Sequence, residues 1–150
     1  MTDDDHSGAF GAISIPALQR IRTLWLDCEP LVETTASDDP IAPTELRVQL
    51  SDGIGAASDA RFDIQWSDRG MYSFHYVDSE AVNWRFDCHP NTHSPEAHFH
   101  PPPEATTAAA EPSCIEVTGV ALVTRAVHAM WRAAYDHNDP ARLNSRSNPP

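Results

Sequence analysis

Residues 61–87 read RFDIQWSDRGMYSFHYVDSEAVNWRFD, and large apolar side chains alternate with polar ones through most of this stretch. Two short turn signals, at residues 67–70 and 78–80, interrupt the alternation. A period of two is typical of strands with one buried and one solvated face. The stretch therefore predicts three antiparallel strands, whose buried rows are Phe62, Ile64 and Trp66; Tyr72, Phe74 and Tyr76; and Val82, Trp84 and Phe86.

The same pattern continues on both sides of this stretch. Residues 46–50 predict another strand before it, and residues 96–100 predict a fifth strand after it. Ser14 and Thr118 are the predicted N-caps of a short N-terminal helix and a long C-terminal helix. We therefore predict an α+β fold, in which an antiparallel β-meander of four to five strands carries the long helix packed on one face.

Composition sets the expected boundaries of this domain. Residues 1–13 are acidic and small, and residues 138–150 are rich in Pro, Asn and Ser, so both ends are predicted to be disordered tails. Residues 14–137 are then a single α+β domain. Within it, the Thr, Asp and Pro content of residues 33–43 predicts a loop.

The charge of the chain limits its function. Ten arginines and 22 acidic residues give a formal net charge of -12, and there is no lysine. Bulk charge therefore excludes non-specific binding to nucleic acid, and any such contact requires a local patch. Aspartate outnumbers glutamate, and a Lys-free, acid-rich surface is typical of halophilic archaea, whose proteins work in molar salt.

Cysteine usage and hydropathy bear on the cellular compartment. Cys28, Cys88 and Cys114 form no Cys-x-x-Cys motif and predict no disulfide framework, which fits a reducing compartment. The N-terminus is acidic, and no apolar run approaches the ~18 residues that span a bilayer. We expect a cytoplasmic protein with no membrane contact.

The polar face of the predicted hairpin carries several reactive side chains. A three-residue loop at residues 78–80 would place Tyr76 opposite Val82, His75 opposite Asn83, and Ser73 opposite Arg85. Asp87 follows Arg85 on the same side. One face would thus combine an imidazole, a guanidinium, a carboxylate and an amide, although an ordinary solvated sheet face has a similar composition.

The segment that follows is rich in histidine. Four of the eight histidines fall in residues 88–100, and such a density is typical of metal binding, proton transfer or phosphate contact. In a metal site, the ligands of zinc or another transition metal would be His89, His93, His98 and His100, with Cys88 as a further candidate.

Two alternatives need no metal. In a metal-free ribonuclease, His75, His98 and His100 are the candidates for proton transfer, and Arg85 holds the phosphate. The segment could also form a histidine-rich surface loop or a binding face without chemistry. The residue pattern leaves all three alternatives open.

The motifs of this region resemble a known family. They are Tyr72-Ser73-Phe74-His75-Tyr76, Arg85-Phe86-Asp87, His89-Pro90 and His98-x-His100, and together they are similar to the core of TumE-type toxins of prokaryotic toxin–antitoxin modules over residues 61–100. The chain departs from the family pattern in three places. Cys88 replaces an Asn, residues 89–93 split a Pro-His-His motif, and a triple proline at 101–103 replaces the usual continuation.

The resemblance implies a function and a partner. It implies a small toxin that is neutralised by a separate helix-turn-helix antitoxin and that acts on RNA. The candidate catalytic residues are then His75, Arg85, Asp87, His98 and His100, with no cofactor required. The alternative is a non-enzymatic protein-interaction domain or a metal-binding domain that uses the same face.

A short basic stripe lies on the predicted C-terminal helix. Arg125, His128 and Arg132 fall at i, i+3 and i+7. The stripe would either contact RNA phosphate or an acidic antitoxin, or form the solvated face of the helix.

Overall fold

A computed structural model describes residues 10–89 and 97–145, which form one antiparallel sheet and two α-helices. Helix α1 is Ile15–Cys28 and helix α2 is Val120–His137. The strands are β1 Val32–Ser37, β2 Leu46–Leu50, β3 Ala60–Trp66, β4 Tyr72–Asp78, β5 Asn83–Cys88, β6 Ala97–His100 and β7 Glu111–Pro112. Each strand pairs with the next along the chain, in the order β1 to β7.

The predicted α+β class and the antiparallel arrangement are confirmed, but the predicted count of four to five strands is too low. The five predicted strands correspond to β2–β6, and the structure adds β1 and β7 at the two edges. Strand β1 lies at one edge with most of its side chains exposed, so its sequence lacks the apolar alternation that marks a half-buried strand. Strand β7 has only two residues.

The helices begin near their predicted caps. Ser14 caps α1 as predicted, since its side chain accepts a hydrogen bond from the backbone N–H of Ala17 at 3.3 Å. For α2 the prediction of Thr118 is wrong by one residue. The N-cap is Gly119, whose φ of +91° is a backbone conformation that glycine adopts without strain.

One face of the sheet is covered and the other is open. The apolar rows of β2–β6 are buried together with the inner faces of α1 and α2, and the largest fully buried side chains include Trp25, Trp84 and Trp131. Trp84 stacks on Tyr76 at 4.9 Å between ring centroids. Because the aromatic side chains of these strands point into this core, the opposite face of the sheet is left polar and available to solvent.

The register of the β4–β5 hairpin differs from the prediction by two residues. Tyr76 pairs with Trp84 and His75 pairs with Arg85, whereas a loop at 78–80 predicts Val82 and Asn83 as their partners. The loop does have three residues, but it is 79–81. The parity of the pairing, and therefore the face on which each side chain lies, is as predicted.

Asp78 explains this shift. It is 8% exposed, and its Oδ1 accepts hydrogen bonds from the backbone N–H groups of Glu80 at 2.9 Å and Val82 at 3.2 Å. Its Oδ2 accepts a hydrogen bond from the Tyr76 hydroxyl at 2.9 Å, and burial raises the pKa of that phenol. The carboxylate therefore keeps Asp78 in the strand and closes the turn after it.

We expect Asp78→Ala to lower the free energy of unfolding by about 2 kcal/mol, because two turn amides and a buried phenol lose their acceptor. Urea denaturation measures this difference. Glu80→Ala is the matched control, since Glu80 is exposed in the same turn. Equal stabilities of the two variants would contradict the role of Asp78.

The segment after α2 is structured where the structure describes it. Composition predicts a tail from residue 138, whereas a 3-10 helix spans Pro140–Arg142 and Leu143 is buried in the core at 5% exposure. Residues 1–9 and 146–150, which make up most of the rest of the two predicted tails, lie outside the described residues. Within the described part of the chain, neither helix is long and apolar enough to cross a bilayer.

Candidate functional site

The open face of the sheet presents two rows of polar side chains. One row crosses β2 to β6 and consists of Arg47, Asp63, His75, Arg85 and His100. The next row crosses β3 to β6 and consists of Gln65, Ser73, Asp87 and His98. Alternation along each strand produces this arrangement, because every second side chain points away from the core. All five predicted catalytic residues thus lie on one face of β4–β6.

Asp87 is the centre of a buried charge cluster on this face. Its Oδ2 lies 2.9 Å from Arg85 Nε, 3.0 Å from His100 Nε2 and 3.8 Å from His89 Nε2. Asp87 is only 3% exposed, and its Oδ1 has no hydrogen-bond partner among the described residues. A buried carboxylate needs a cationic partner, which Arg85 supplies. Asp87 therefore fixes Arg85 through Nε, and Nη1 of the guanidinium is left to bind a ligand.

His100 supports this cluster from the adjacent strand β6. Its Nδ1 lies 3.3 Å from the backbone carbonyl oxygen of Thr106, which can only accept, so Nδ1 carries a hydrogen. Its Nε2 faces both Asp87 and Arg85 Nη2, the latter at 3.3 Å. His100 is 4% exposed with both ring nitrogens engaged, which suits a positioning role better than the predicted proton transfer.

His75 is oriented through a chain of hydrogen bonds. The carbonyl oxygen of Pro103 accepts from the Asn83 side-chain amide at 3.3 Å, which turns Asn83 Oδ1 toward His75 Nε2 at 3.1 Å. Nε2 of His75 therefore carries the hydrogen, and Nδ1 of the neutral ring has a free lone pair. The predicted proximity of His75 and Asn83 is confirmed, although the two residues are diagonal neighbours and not direct partners.

His98 lies on β6, beside Asp87 and diagonal to Arg85. It is half-buried, and its ring centroid is 6.4 Å from that of His89. Together, His75 on β4 and His98 on β6 place two imidazoles on either side of Arg85 on β5.

The metal alternative involves residues that the structure describes only in part. Among residues 10–89 and 97–145, no group of three His, Cys, Asp or Glu side chains is arranged to hold a metal ion. His93 lies outside the described residues, so the zinc site with His89, His93, His98 and His100 stays a prediction. Burial, followed by the nearby Asp87 carboxylate, raises the pKa of the Cys88 thiol.

Sequence reasoning missed two parts of the site. The carbonyl groups of Pro103 and Thr106 orient both His75 and His100, but every residue has a carbonyl group, so no sequence signal marks them. Arg47 and Arg61 flank Asp63 on the same face. The sequence does indicate this second part, because the period of two in β2 and β3 places Arg47, Arg61 and Asp63 together on the face opposite the apolar row.

Comparison with known proteins identifies the family. The family model described as Toxin TumE matches residues 21–135, a span that includes β1–β7, most of both helices and the whole polar face of the sheet. No curated protein and no solved structure shows significant similarity to the chain. The match covers most of the chain and extends well beyond residues 61–100, where the motifs lie. The chain belongs to the TumE toxin family.

Proposed function

We propose that the chain is the toxin component of a toxin–antitoxin module and that it cleaves RNA in the cytoplasm without a metal ion. The family supports the toxin role and implies an antitoxin partner, for which we propose a helix-turn-helix protein. The observation that carries the proposed chemistry is the position of Arg85. Its guanidinium is fixed by Asp87 and flanked by His75 and His98 on the adjacent strands.

Each step of the proposed reaction has a side chain suited to it. His75 Nδ1 removes the proton from the ribose 2′-hydroxyl, and the 2′-oxygen forms a bond to phosphorus. The bond from phosphorus to the 5′-oxygen breaks while protonated His98 donates a proton to that oxygen. The products are a 2′,3′-cyclic phosphate and a 5′-hydroxyl, and proton exchange with water restores both histidines.

Arg85 stabilises the negative charge that develops on the phosphoryl oxygens during this reaction. Its side chain is 30% exposed, and its Nη1 makes no hydrogen bond within the described part of the chain. A guanidinium already held in place loses little conformational freedom when it binds a phosphate. Asp87 and His100 act through Arg85 as positioning residues.

Induced expression in a halophilic host tests the toxin role directly. We expect growth arrest from the unchanged chain and normal growth from His75→Ala and Arg85→Ala at matched protein levels. Arg20→Ala is the charge-matched control, because Arg20 is exposed on α1 and lies outside the polar face; it should still arrest growth. Normal growth despite abundant, folded wild-type protein would contradict the proposal, as would equal arrest by all four chains.

A further inference from the structure

A second arginine cluster lies on the same sheet face, two to three strands from Arg85. Asp63 accepts hydrogen bonds from Arg47 Nε at 3.0 Å and from Arg61 Nε at 3.1 Å. Asp63 is opposite His75 in the sheet, and Arg47 continues the same row on β2. The cluster is therefore an extension of the candidate site and not a separate surface.

The two guanidiniums are held in the way that suits phosphate binding. Both Nε atoms are bound to one carboxylate, whose side chain is only 13% exposed, while Arg47 and Arg61 are 51% and 39% exposed. Arg61 makes no other hydrogen bond among the described residues, and the terminal group of Arg47 approaches only Glu45, at 4.0 Å. Burial, followed by the nearby Asp63, raises the pKa of the Glu45 carboxyl. The terminal amino groups of both arginines are thus oriented yet available.

The charge of this face differs from that of the protein. The outward residues of β2–β6 include three arginines and two aspartates, and Glu45 beside Arg47 brings the balance to zero with histidine neutral, in a chain of net charge -12. The rest of the chain carries all of the excess negative charge. This face therefore lacks the excess negative charge of the other surfaces and presents its arginines together, which favours it as the place where an acidic protein would bind a polyanion.

The chemistry of the face also specifies how RNA would be bound. Every Phe, Tyr and Trp residue of β3–β6 belongs to the buried core, so histidine supplies the outward-facing rings of these strands. Stacking is the usual means of holding bases on a sheet surface. The side chains present are instead suited to phosphate oxygens, which makes recognition tolerant of sequence.

We propose that Arg47 and Arg61 bind phosphates that flank the phosphate held at Arg85, and that the substrate is single-stranded RNA several nucleotides long, lying across the strands. Arg47 and Arg85 are three strand spacings apart, or ~14 Å, which no mononucleotide spans. This inference rests on the proposed function for the identity of the reacting phosphate, but it concerns binding and can be tested without cleavage.

The test uses the full chain carrying His75→Ala and 2′-O-methyl oligoribonucleotides, which have no 2′-hydroxyl to react. Fluorescence anisotropy measures the Kd of an octanucleotide and of a dinucleotide. We expect Arg47→Gln and Arg61→Gln each to weaken octanucleotide binding about three- to fivefold and to leave dinucleotide binding unchanged. Each should also reduce the slope of log Kd against log salt by about 0.7. Arg20→Gln, off the face, should change neither value.

The outcomes separate this inference from the proposed function. The inference is overturned if Arg47→Gln and Arg61→Gln leave octanucleotide binding unchanged, or if Arg20→Gln weakens it as much as they do. This holds even if the unchanged chain cleaves RNA. Loss of octanucleotide affinity only in Arg47→Gln and Arg61→Gln would support the inference. If the unchanged chain then fails to cleave RNA, the proposed nuclease activity alone is refuted. No binding at either length would indicate a face for a protein partner and would overturn the inference. Thermal melts of each variant show whether a loss of affinity reflects a loss of folding. Arg61→Lys keeps the positive charge and is measured beside Arg61→Gln.

Discussion

Substitution of His75 by alanine is expected to slow RNA cleavage about a thousandfold, because the reaction loses the group that removes the 2′-hydroxyl proton. The measurement is the rate at which a single-stranded oligoribonucleotide yields a fragment ending in a 2′,3′-cyclic phosphate. The unfolding midpoint should change little, since His75 is half-buried on the open face and its side chain makes one hydrogen bond among the described residues, to Asn83.

Ser73→Ala is the matched control for this prediction. Ser73 lies two residues away on the same face of β4, opposite Asp87, and has no role in the proposed reaction. It should keep nearly the full rate. A cleavage rate that His75→Ala leaves intact, or that Ser73→Ala reduces as strongly, would remove His75 from the mechanism.

The orientation of His75 can be tested separately from its presence. Asn83→Leu removes the acceptor that keeps the hydrogen on Nε2, so part of the population should shift to the tautomer with the hydrogen on Nδ1. Nitrogen chemical shifts of the His75 ring report this change directly. We expect RNA cleavage to be about tenfold slower, because fewer molecules have the free Nδ1 lone pair that removes the 2′-hydroxyl proton. An unchanged tautomer ratio would contradict the positioning role of Asn83.

The sequence could predict the face on which each side chain lies, because the period of two is fixed by strand geometry. This is why His75, Arg85 and Asp87 were correctly placed together despite an error of two residues in register. The register itself depended on the Asp78 carboxylate, whose bonds to the turn amides only the folded chain reveals. Turn composition alone does not decide between a loop at 78–80 and one at 79–81.

Strand β1 and the cluster of Glu29, His128 and Arg132 show a second limit of sequence reasoning. Exposed edge strands have little apolar burial and therefore no periodic signal. Helical spacing alone predicts a ligand contact or a solvated helix face for the basic stripe on α2. Instead, Glu29 from the end of α1 engages two of its three members, a pairing between residues about 100 positions apart that no local pattern encodes.

Glu29→Ala is expected to produce the largest loss of stability, about 3 kcal/mol in the free energy of unfolding. The Glu29 side chain is fully buried, and its two oxygens accept hydrogen bonds from His128 Nε2 at 3.0 Å, Arg132 Nη1 at 3.0 Å and the Leu31 backbone N–H at 2.9 Å. The cluster ties the end of α1, the chain entering β1 and the middle of α2 together. Urea denaturation measures the loss, and Glu33→Ala, at an exposed position on β1, is the control that should cost less than about 0.5 kcal/mol.

The origin of this cost can be resolved with a triple variant. If most of it comes from leaving His128 and Arg132 without the Glu29 carboxylate, then Glu29→Met, His128→Leu and Arg132→Met together should cost less than Glu29→Ala alone. No buried charge is then left unpaired, and Asp136, which also pairs with Arg132, is half-exposed. The partial exposure of Arg132, at 35%, lets water compensate some of the loss, which is why we expect about 3 kcal/mol and not more. A triple variant as unstable as the single one would place the cost in the cavity left by the side chain instead. Since Glu29 lies on the covered side of the sheet, either result should leave oligonucleotide binding by the folded protein unchanged.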